Sequence, residues 1–220
     1  MRIVVVPCLV VVAVAVGVAN VEAAPPPPPA PPAAAPAAPP AAAPAADPNL
    51  GHPAVKAITT LIGAVRYGKF VMGLKTLDGT AQGAFLLGDN WTKGTEAQRS
   101  EFVTLFHTVF AKVAFVKMQK NFENIQTVVY DAPVVTGNKA VVKSTLVVLH
   151  ALKKQEYKLK YHLAQAGADW KVVDVDVLGE SMLTGVRNEQ INPIMKEGGW
   201  AHLLDLLRQK AKSLESVPLK

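Results

Sequence analysis

The spacing of apolar residues changes from a helical repeat to a strand repeat near residue 125, and this change limits the possible folds more than any other feature. Between residues 102 and 113, apolar side chains recur every three or four positions, the pattern of one face of an α-helix. Residues 155–164 and 170–178 instead alternate apolar and polar side chains, as half-buried strands do. Because each apolar stripe must be covered by another, this order predicts an α+β fold.

The strand region predicts a curved antiparallel sheet of four strands, covered on one face by N- and C-terminal helices that enclose an apolar pocket. Gly137-Asn138 and Gly167-Ala168 are turn signals between apolar runs, which is typical of hairpin connections. The strands are expected in residues 125–130, 134–149, 155–164 and 170–178.

The last two of these strands each have an apolar and a polar face. The apolar faces carry Tyr157, Leu159, Tyr161 and Leu163, and Val173, Val175 and Val177. Opposite the valines lie Asp174 and Asp176, which we interpret as solvent-exposed, since a buried carboxylate would need a cationic partner. The alternative is that Asp174, Asp176 or His162 acts as an acid or base in an enzyme.

Helices are expected before and after the sheet, in residues 52–67, 81–91, 181–196 and 199–214, and from Thr95 onwards. Thr95 and Gln98 form a capping box at the start of the central helix, and Asn192-Pro193 predicts a kink in the helix expected over residues 181–196. The stripe of the central helix is either plain core or core that also walls a cavity. It consists of Phe102, Leu105, Phe106, Val109, Phe110 and Val113.

The first 46 residues differ in composition from the rest. Residues 1–23, with Arg2 followed by an uncharged apolar run, resemble a secretory signal peptide, and an uncleaved membrane anchor is the alternative. Residues 24–46 contain only Ala and Pro and predict an extended linker. Residues 47–217 are then expected to form one domain, which the signal peptide would export to an oxidising compartment. Cys8 is the only cysteine, so this domain contains no disulfide.

The composition favours binding over catalysis. The five histidines lack metal-ligand spacing, and the motifs of serine hydrolases, P-loop proteins and dinucleotide-binding proteins are absent. We therefore expect no enzymatic activity, no metal and no cofactor. The net charge of +6, without a dense basic cluster, suits transient contact with an anionic membrane surface or with acidic patches on a partner, and it does not indicate nucleic acid.

An ordered set of motifs runs through residues 86–204. The first motifs are Leu86-Leu87-Gly88-Asp89-Asn90-Trp91 and Thr95-x-x-Gln98-Arg99-x-Glu101-Phe102-x-x-Leu105-Phe106. The later ones are Trp170-Lys171-Val172-x-Asp174-Val175, Gly179-x-Ser181-Met182, Arg187 and Gly198-Gly199-x-x-x-Leu203-Leu204. Together they resemble the MlaC family of periplasmic phospholipid-binding proteins. The resemblance implies a periplasmic carrier that takes phospholipid between an inner-membrane ABC transporter complex and an outer-membrane lipoprotein complex, with the lipid tails between sheet and helices.

The faces assigned above supply the expected lipid-binding residues. For Arg187, contact with a lipid headgroup and an ion pair that holds the helix to the sheet remain alternatives. Gly179 and Ser181 are expected to serve turn geometry and helix capping. The complete set is Phe102, Phe106, Val109, Phe110, Tyr157, Leu159, Tyr161, Val173, Val175, Val177, Leu183, Arg187 and Ile194.

The chain departs from the family pattern around Gly179 and Arg187. Leu178 and Glu180 replace the usual Glu and Val, and Val186 and Ile191 replace a usual Tyr and Phe. The lipid is therefore left open, and a hopanoid or another apolar ligand is an alternative. A module without ligand, held on the Ala/Pro segment as on a stalk, is a further one.

Overall fold

The described part of the chain, residues 47–150 and 153–219 of a computed structural model, has helices at both ends and strands between them. The expected signal segment and Ala/Pro linker lie outside these ranges. A short 3₁₀ turn, Pro48–Gly51, leads into the first helix. The helices are α1 (Pro53–Arg66), α2 (Phe70–Lys75), α3 (Gly79–Leu87), α4 (Asp89–Lys93), α5 (Glu96–Phe110), α6 (Val116–Phe122), α7 (Met182–Val186) and α8 (Asn192–Ser213).

The helices begin and end where local chemistry requires. The predicted capping box is present, with the Gln98 amide donating to Thr95 Oγ1 at 3.2 Å and the Thr95 amide donating to Gln98 Oε1 at 2.9 Å. The single helix expected over residues 81–91 is wrong. Gly88 has φ 52° and ψ −128°, and this conformation ends α3 and starts α4 in a new direction.

Two helical stretches of the described chain are π-helical. The first π segment, Ala111–Phe115, continues α5 into α6, and the second, Arg187–Ile191, joins α7 to α8. Pro193 follows the second segment and has no amide hydrogen to continue an α-helical ladder there. Helix α8 is interrupted at Gly199, whose φ of 61° and ψ of −151° separate the two helices that the sequence predicted.

Six strands lie in the described ranges and form one antiparallel sheet, which confirms the fold class. The number exceeds the expected four because the strand expected over residues 134–149 is two strands that pair across the turn at Gly137-Asn138, and because a two-residue strand is added after β5. The strands are β1 (Ile125–Tyr130), β2 (Val134–Thr136), β3 (Lys139–His150), β4 (Lys153–Ala166), β5 (Asp169–Val177) and β6 (Glu180–Ser181).

Hairpin turns set the register of the sheet. Thr136 pairs with Lys139 across Gly137-Asn138, and Ala166 pairs with Asp169 across Gly167-Ala168, so both predicted turns are confirmed. The other edge of β5 is extended by the segment before α3, where the amide of Val172 donates to the carbonyl of Thr76 at 2.8 Å. This contact ties the helical layer to the sheet.

The described core consists of two hydrophobic clusters. The sheet cluster lies between the sheet and α1, with Ile58, Val142, Tyr161 and Val172 among its buried members. The helical cluster is formed by α3, α5, α7 and α8 around Phe102, which is fully buried. Phe110 packs against both clusters, so the end of α5 joins them.

Candidate functional site

A small apolar cavity of about 30 Å³ lies within the helical cluster. Three helices and the second π segment form its wall, and Gln190 is its polar member. The wall consists of Phe106, Val109 and Phe110 from α5, Val186 from α7, Gln190 and Ile191 from the second π segment, and Leu203 and Leu207 from α8. The cavity therefore lies between layers of helices rather than between the helices and the sheet.

The second π segment forms part of this wall, and the first follows the wall residue Phe110 in the chain. The second contributes Gln190 and Ile191, whereas the first begins directly after Phe110. In a π-helix the hydrogen bonds run from residue i to residue i+5, and such turns occur frequently at functional sites. One part of the wall therefore departs from regular α-helical geometry.

A row of phenylalanine rings runs along the cavity wall. Phe102 and Phe106 stack at 5.6 Å between centroids, and Phe106 and Phe110 at 5.9 Å. The row continues from Phe110 to Phe115 at 5.3 Å and from Phe115 to Phe70 at 5.7 Å. It connects the helical cluster to the sheet cluster through contacts of a kind that contribute about 0.5–1.5 kcal/mol each beyond area burial.

The predicted site residues on the helices lie in or beside the helical cluster. Phe106, Val109 and Phe110 line the cavity. Phe102 and Leu183 are buried in the same cluster, and Ile194 packs against it. The apolar site residues that were predicted on the helices therefore lie in one hydrophobic cluster or line the cavity within it.

Four of the predicted residues on the strands belong to the sheet cluster instead. Tyr161 is buried there, and Tyr157, Leu159 and Val175 pack against it. Burial raises the pKa of the Tyr161 hydroxyl, which is therefore neutral, and Ser144 Oγ donates to its oxygen at 3.5 Å. These residues are separate from the cavity, so the structure does not bring the whole predicted set to one place.

Val173 interrupts the predicted alternation of β5. Leu163 pairs with Val172 and His162 with Asp174, which leaves Val173 as the extra residue of a β-bulge. Val172 is 1% exposed and takes the core position, whereas Val173 and Val177 are half-buried. The expected common face of Val173, Val175 and Val177 is therefore wrong at Val173, because a bulge shifts the side-chain repeat by one residue.

The interpretation of Asp174 and Asp176 as a solvent-exposed pair is also wrong. Asp176 is 6% exposed, and its carboxylate accepts from Lys160 Nζ at 2.5 Å and His162 Nε2 at 3.1 Å. Burial raises the pKa of Asp176, but the hydrogen bonds from Lys160 and His162 outweigh it and keep the pKa below the ordinary value. The carboxylate thus stays ionised and serves as a structural partner of the Lys160 and His162 side chains.

Asp174 supports the start of α7 rather than solvent contact. Its carboxylate accepts from Ser181 Oγ at 2.5 Å and from the Leu183 amide at 3.1 Å. Ser181 Oγ in turn accepts from the Thr184 amide at 3.0 Å, as an N-cap does. The expected capping role of Ser181 is therefore confirmed, and the Asp174 carboxylate holds β5 to the start of α7.

A polar contact joins the helices to the bulge. The side-chain amide of Gln82 donates to the Val173 carbonyl at 3.0 Å, so its oxygen faces His107 Nε2 at 2.8 Å and accepts a hydrogen bond from it. Burial lowers the pKa of His107 despite the nearby Asp78, which favours the neutral ring with hydrogen on Nε2. This arrangement connects α5, α3 and β5.

Arg187 lies on the outer side of the second π segment. Its guanidinium carbon is 5.7 Å from the centre of the Phe85 ring, a cation–π contact. A Cβ on Gly88 would come within 2.8 Å of Arg187 Nη2, so glycine at this position leaves room for the guanidinium. The structure places Arg187 against α3, outside the wall of the cavity.

Five wall residues were not in the predicted set: Val186, Gln190, Ile191, Leu203 and Leu207. Leu203 and Leu207 lie four residues apart in the last helix, and this spacing was a usable signal. Val186 and Ile191 lie five residues apart and share a wall only because the segment between them is π-helical. They are also the two positions at which the chain lacks the family's usual aromatic residues.

Two further features concern the described residues alone. Within residues 47–150 and 153–219, His, Cys, Asp and Glu side chains do not form a group that could hold a metal ion. In the same ranges, every helix is too short or too polar to cross a membrane.

The chain matches a known protein family and a solved structure. The sequence model of the MlaC family (MlaC protein) matches residues 74–209, more than half of the chain, and this range contains the whole cavity wall. The solved structure of a phospholipid-binding protein from Ralstonia solanacearum, in complex with a phospholipid, has the same fold, with a TM-score of 0.58 at 18% sequence identity. That similarity covers 72% of this chain and 94% of the other. No curated protein matches the chain in sequence. The extent of the family match shows that this chain belongs to the MlaC family.

Proposed function

We propose that this protein binds a phospholipid through its acyl tails and carries it between membranes without catalysing a reaction. The observation that carries the proposal is the apolar cavity, whose wall lies entirely within the range of the family match. The related fold of the Ralstonia solanacearum protein, which was solved with a bound phospholipid, supports the same ligand class.

The energy of the acyl tails explains why a carrier needs such a cavity. The two tails of a phospholipid contain about 30 methylene groups, and each costs roughly 0.8 kcal/mol in water. A sum on the order of 20 kcal/mol prevents free transfer through water, so the tails have to be covered by protein. A ligand of this size needs several hundred Å³, so the cavity of about 30 Å³ must widen when the lipid binds.

The second π segment and α8 are the parts of the wall that we expect to move. Opening the cavity requires α5 to separate from the second π segment and α8, which meet it across Phe106, Ile191 and Leu203. Irregular helix turns can change to α-helical geometry with a local shift in hydrogen bonding, whereas a regular helix has to move as a body. The smaller Val186 and Ile191 leave room for a ligand at positions where the family usually has aromatic rings.

The proposed setting is the periplasm, after export directed by residues 1–23. There the carrier would exchange lipid with an inner-membrane ABC transporter complex and an outer-membrane lipoprotein complex. The family membership and the apolar N-terminal segment support this part of the proposal.

Lipid extraction tests ligand binding. The protein, purified from exporting cells in the form they produce, should carry phospholipid detectable by mass spectrometry, and it should take up labelled phospholipid from vesicles. Labelled lipid should then move faster between inner- and outer-membrane fractions when the protein is present. Absence of both co-purified lipid and uptake would contradict the proposal, and uptake without transfer would limit it to binding.

A substitution in the wall tests the position of the tails. Val186→Phe places a ring where about two methylenes of a tail would lie, which removes roughly 1.6 kcal/mol of transfer energy and lowers phospholipid affinity about tenfold. The matched control is Val134→Phe on the exposed edge strand, which should leave affinity unchanged. Equal affinities of both variants and the original protein would show that the tails lie elsewhere.

A further inference from the structure

Helix α2 and the turn before it expose an apolar surface that is separate from the cavity. Tyr67 is 70% exposed, Val71 43% and Met72 42%. These side chains surround an open recess of about 560 Å³, which is lined by Tyr67, Gly68, Lys69, Val71, Met72 and Lys75. We refer to these six residues as the α2 surface.

The opposite side of α2 is anchored in the core, so the helix holds the α2 surface outward. Phe70 is buried and its ring contacts Phe115 at 5.7 Å between centroids. A Cβ on Gly73 would come within 3.1 Å of the Phe115 ring, which shows how closely the helix backbone approaches it. Val71 and Met72 therefore cannot turn inward without displacing Phe70 from the core.

The charges around this surface are almost all positive. Residues 66–77 contain Arg66, Lys69 and Lys75 and no Asp or Glu. The neighbouring α6 adds the exposed Lys117 and Lys120, and its Gln119 side chain lies beside Gly68. Glu123, at the end of α6, is the acidic residue of this region, and its carbonyl accepts from Arg66 at 3.4 Å.

We propose that the α2 surface docks on a phospholipid bilayer that contains anionic lipids. Exposed Tyr, Val and Met side chains beside lysines match the two phases of a bilayer surface, since apolar groups enter the acyl boundary while lysine amines extend to the phosphates. Each lysine near an anionic surface contributes to binding through the surface potential. A protein partner would instead need acidic groups aligned with Lys69 and Lys75.

The position of this surface connects it to the cavity. The row of rings Phe70, Phe115 and Phe110 runs from the buried side of α2 to the cavity wall. Docking would bring the helical layer against the bilayer with which the proposed carrier exchanges lipid. The docking itself is a property of the surface and does not rest on the proposed lipid binding.

Vesicle flotation tests the docking with the same purified form of the protein throughout, so that any N-terminal contribution is equal in all samples. The protein should float with vesicles that contain one third phosphatidylglycerol and bind more weakly to pure phosphatidylcholine. Lys69→Gln with Lys75→Gln should weaken partitioning about thirtyfold. Val71→Ser with Met72→Ser should weaken it about tenfold.

Matched controls remove the same charge, or exposed apolar side chains, from a different part of the protein. Lys139→Gln with Lys153→Gln removes the same charge from the sheet, and Val134→Ser with Val135→Ser removes exposed valines from the edge strand. Both control pairs should float as the original protein does, and urea unfolding should show that all variants are folded.

Three results would overturn the proposal: equal binding to neutral and anionic vesicles, α2-surface variants that float as the original does, or controls that lose as much. If the α2-surface variants instead convert a dimer to a monomer in sedimentation, the surface joins two copies of this chain. Lipid co-purification is measured separately on the same variants. Loss of flotation with retained lipid therefore distinguishes docking from the proposed carrier function.

Discussion

Leu178 shows how one residue can adopt a backbone conformation that its side chain disfavours. It has a φ of 55° and is 67% exposed, in a two-residue turn that Gly179 completes with a φ of 91°. Turns with both central residues at positive φ favour Asn-Gly, because Asn tolerates this region and Leu does not. The chain therefore places an exposed apolar group at a strained position between β5 and β6.

Replacing Leu178 tests this strain. Leu178→Asn should increase the free energy of unfolding by about 0.5–1 kcal/mol, since it relieves the disfavoured conformation and loses little packing. Urea unfolding measures the change, and Leu50→Asn, at another exposed leucine, should give no gain. A less stable Leu178→Asn protein would mean that the leucine makes a stabilising contact.

At the scale of elements, glycines determine how closely the short helices pack. In α3, a Cβ on Gly83 would lie 2.4 Å from Cζ3 of Trp91, so the helix backbone lies directly against the ring of α4. Trp91 is itself held between Phe102 and Trp200. The close approach of α3 and α4 is what allows the helical cluster to form around Phe102.

A pair of alanine substitutions separates packing from helix propensity. Gly83→Ala should destabilise the protein by about 1–3 kcal/mol, because Trp91 has to move. Gly63→Ala, in α1 with nothing within 4 Å of the added carbon, should stabilise it by about 0.5–1 kcal/mol. Thermal and urea unfolding check both values. Stabilisation by both substitutions would show that the Trp91 contact is easily relieved.

At the scale of the whole molecule, Phe110 packs against both hydrophobic clusters, and hydrogen bonds from His107 to Gln82 and from Gln82 to Val173 also join the helices to the sheet. Under the proposed function, an opening between α5 and α8 would divide the helical cluster and leave the sheet cluster intact. The His107 contact makes this connection dependent on pH.

Stability should therefore fall in mild acid through His107. Burial lowers the folded-state pKa of His107 below its ordinary value of 6.5, so the folded protein favours the neutral ring. This contribution is complete above pH 6.5 and is lost as the pH falls from 6.5 towards the folded-state pKa. Unfolding free energies of the original protein and of His107→Gln, measured from pH 8 to pH 5, should converge in acid. Parallel pH profiles would contradict this role.

Much of the fold could be predicted because it depends on local patterns. The capping box at Thr95, the turns at Gly137-Asn138 and Gly167-Ala168, and the strand repeat from Tyr157 to Tyr161 are properties of short segments, and the structure contains all of them. The helical half of the site, from Phe102 to Phe110, followed from the same periodicity.

The sequence-based predictions were wrong where a single residue changes the side-chain repeat, or where a contact joins residues that are distant in sequence. Val173 is an extra residue in β5, and the second π segment brings Val186 and Ile191 into one wall. Neither irregularity has a signal in apolar spacing, because both depend on what packs against the chain. The burial of Asp176 likewise depends on Lys160 and His162, which strand register brings beside it.

The sequence by itself determined the α+β architecture, the turns and the family, because these depend on side-chain repeats and ordered motifs within the chain. Only the tertiary structure decided where the cavity lies, which carboxylates are buried and which apolar side chains of α2 remain exposed. Those properties depend on which surfaces cover each other, and burial energy is shared among residues far apart in sequence. Strand β5 illustrates this difference. Its alternating valines and aspartates could be read from the sequence, but the residues that contact them could be identified only in the structure.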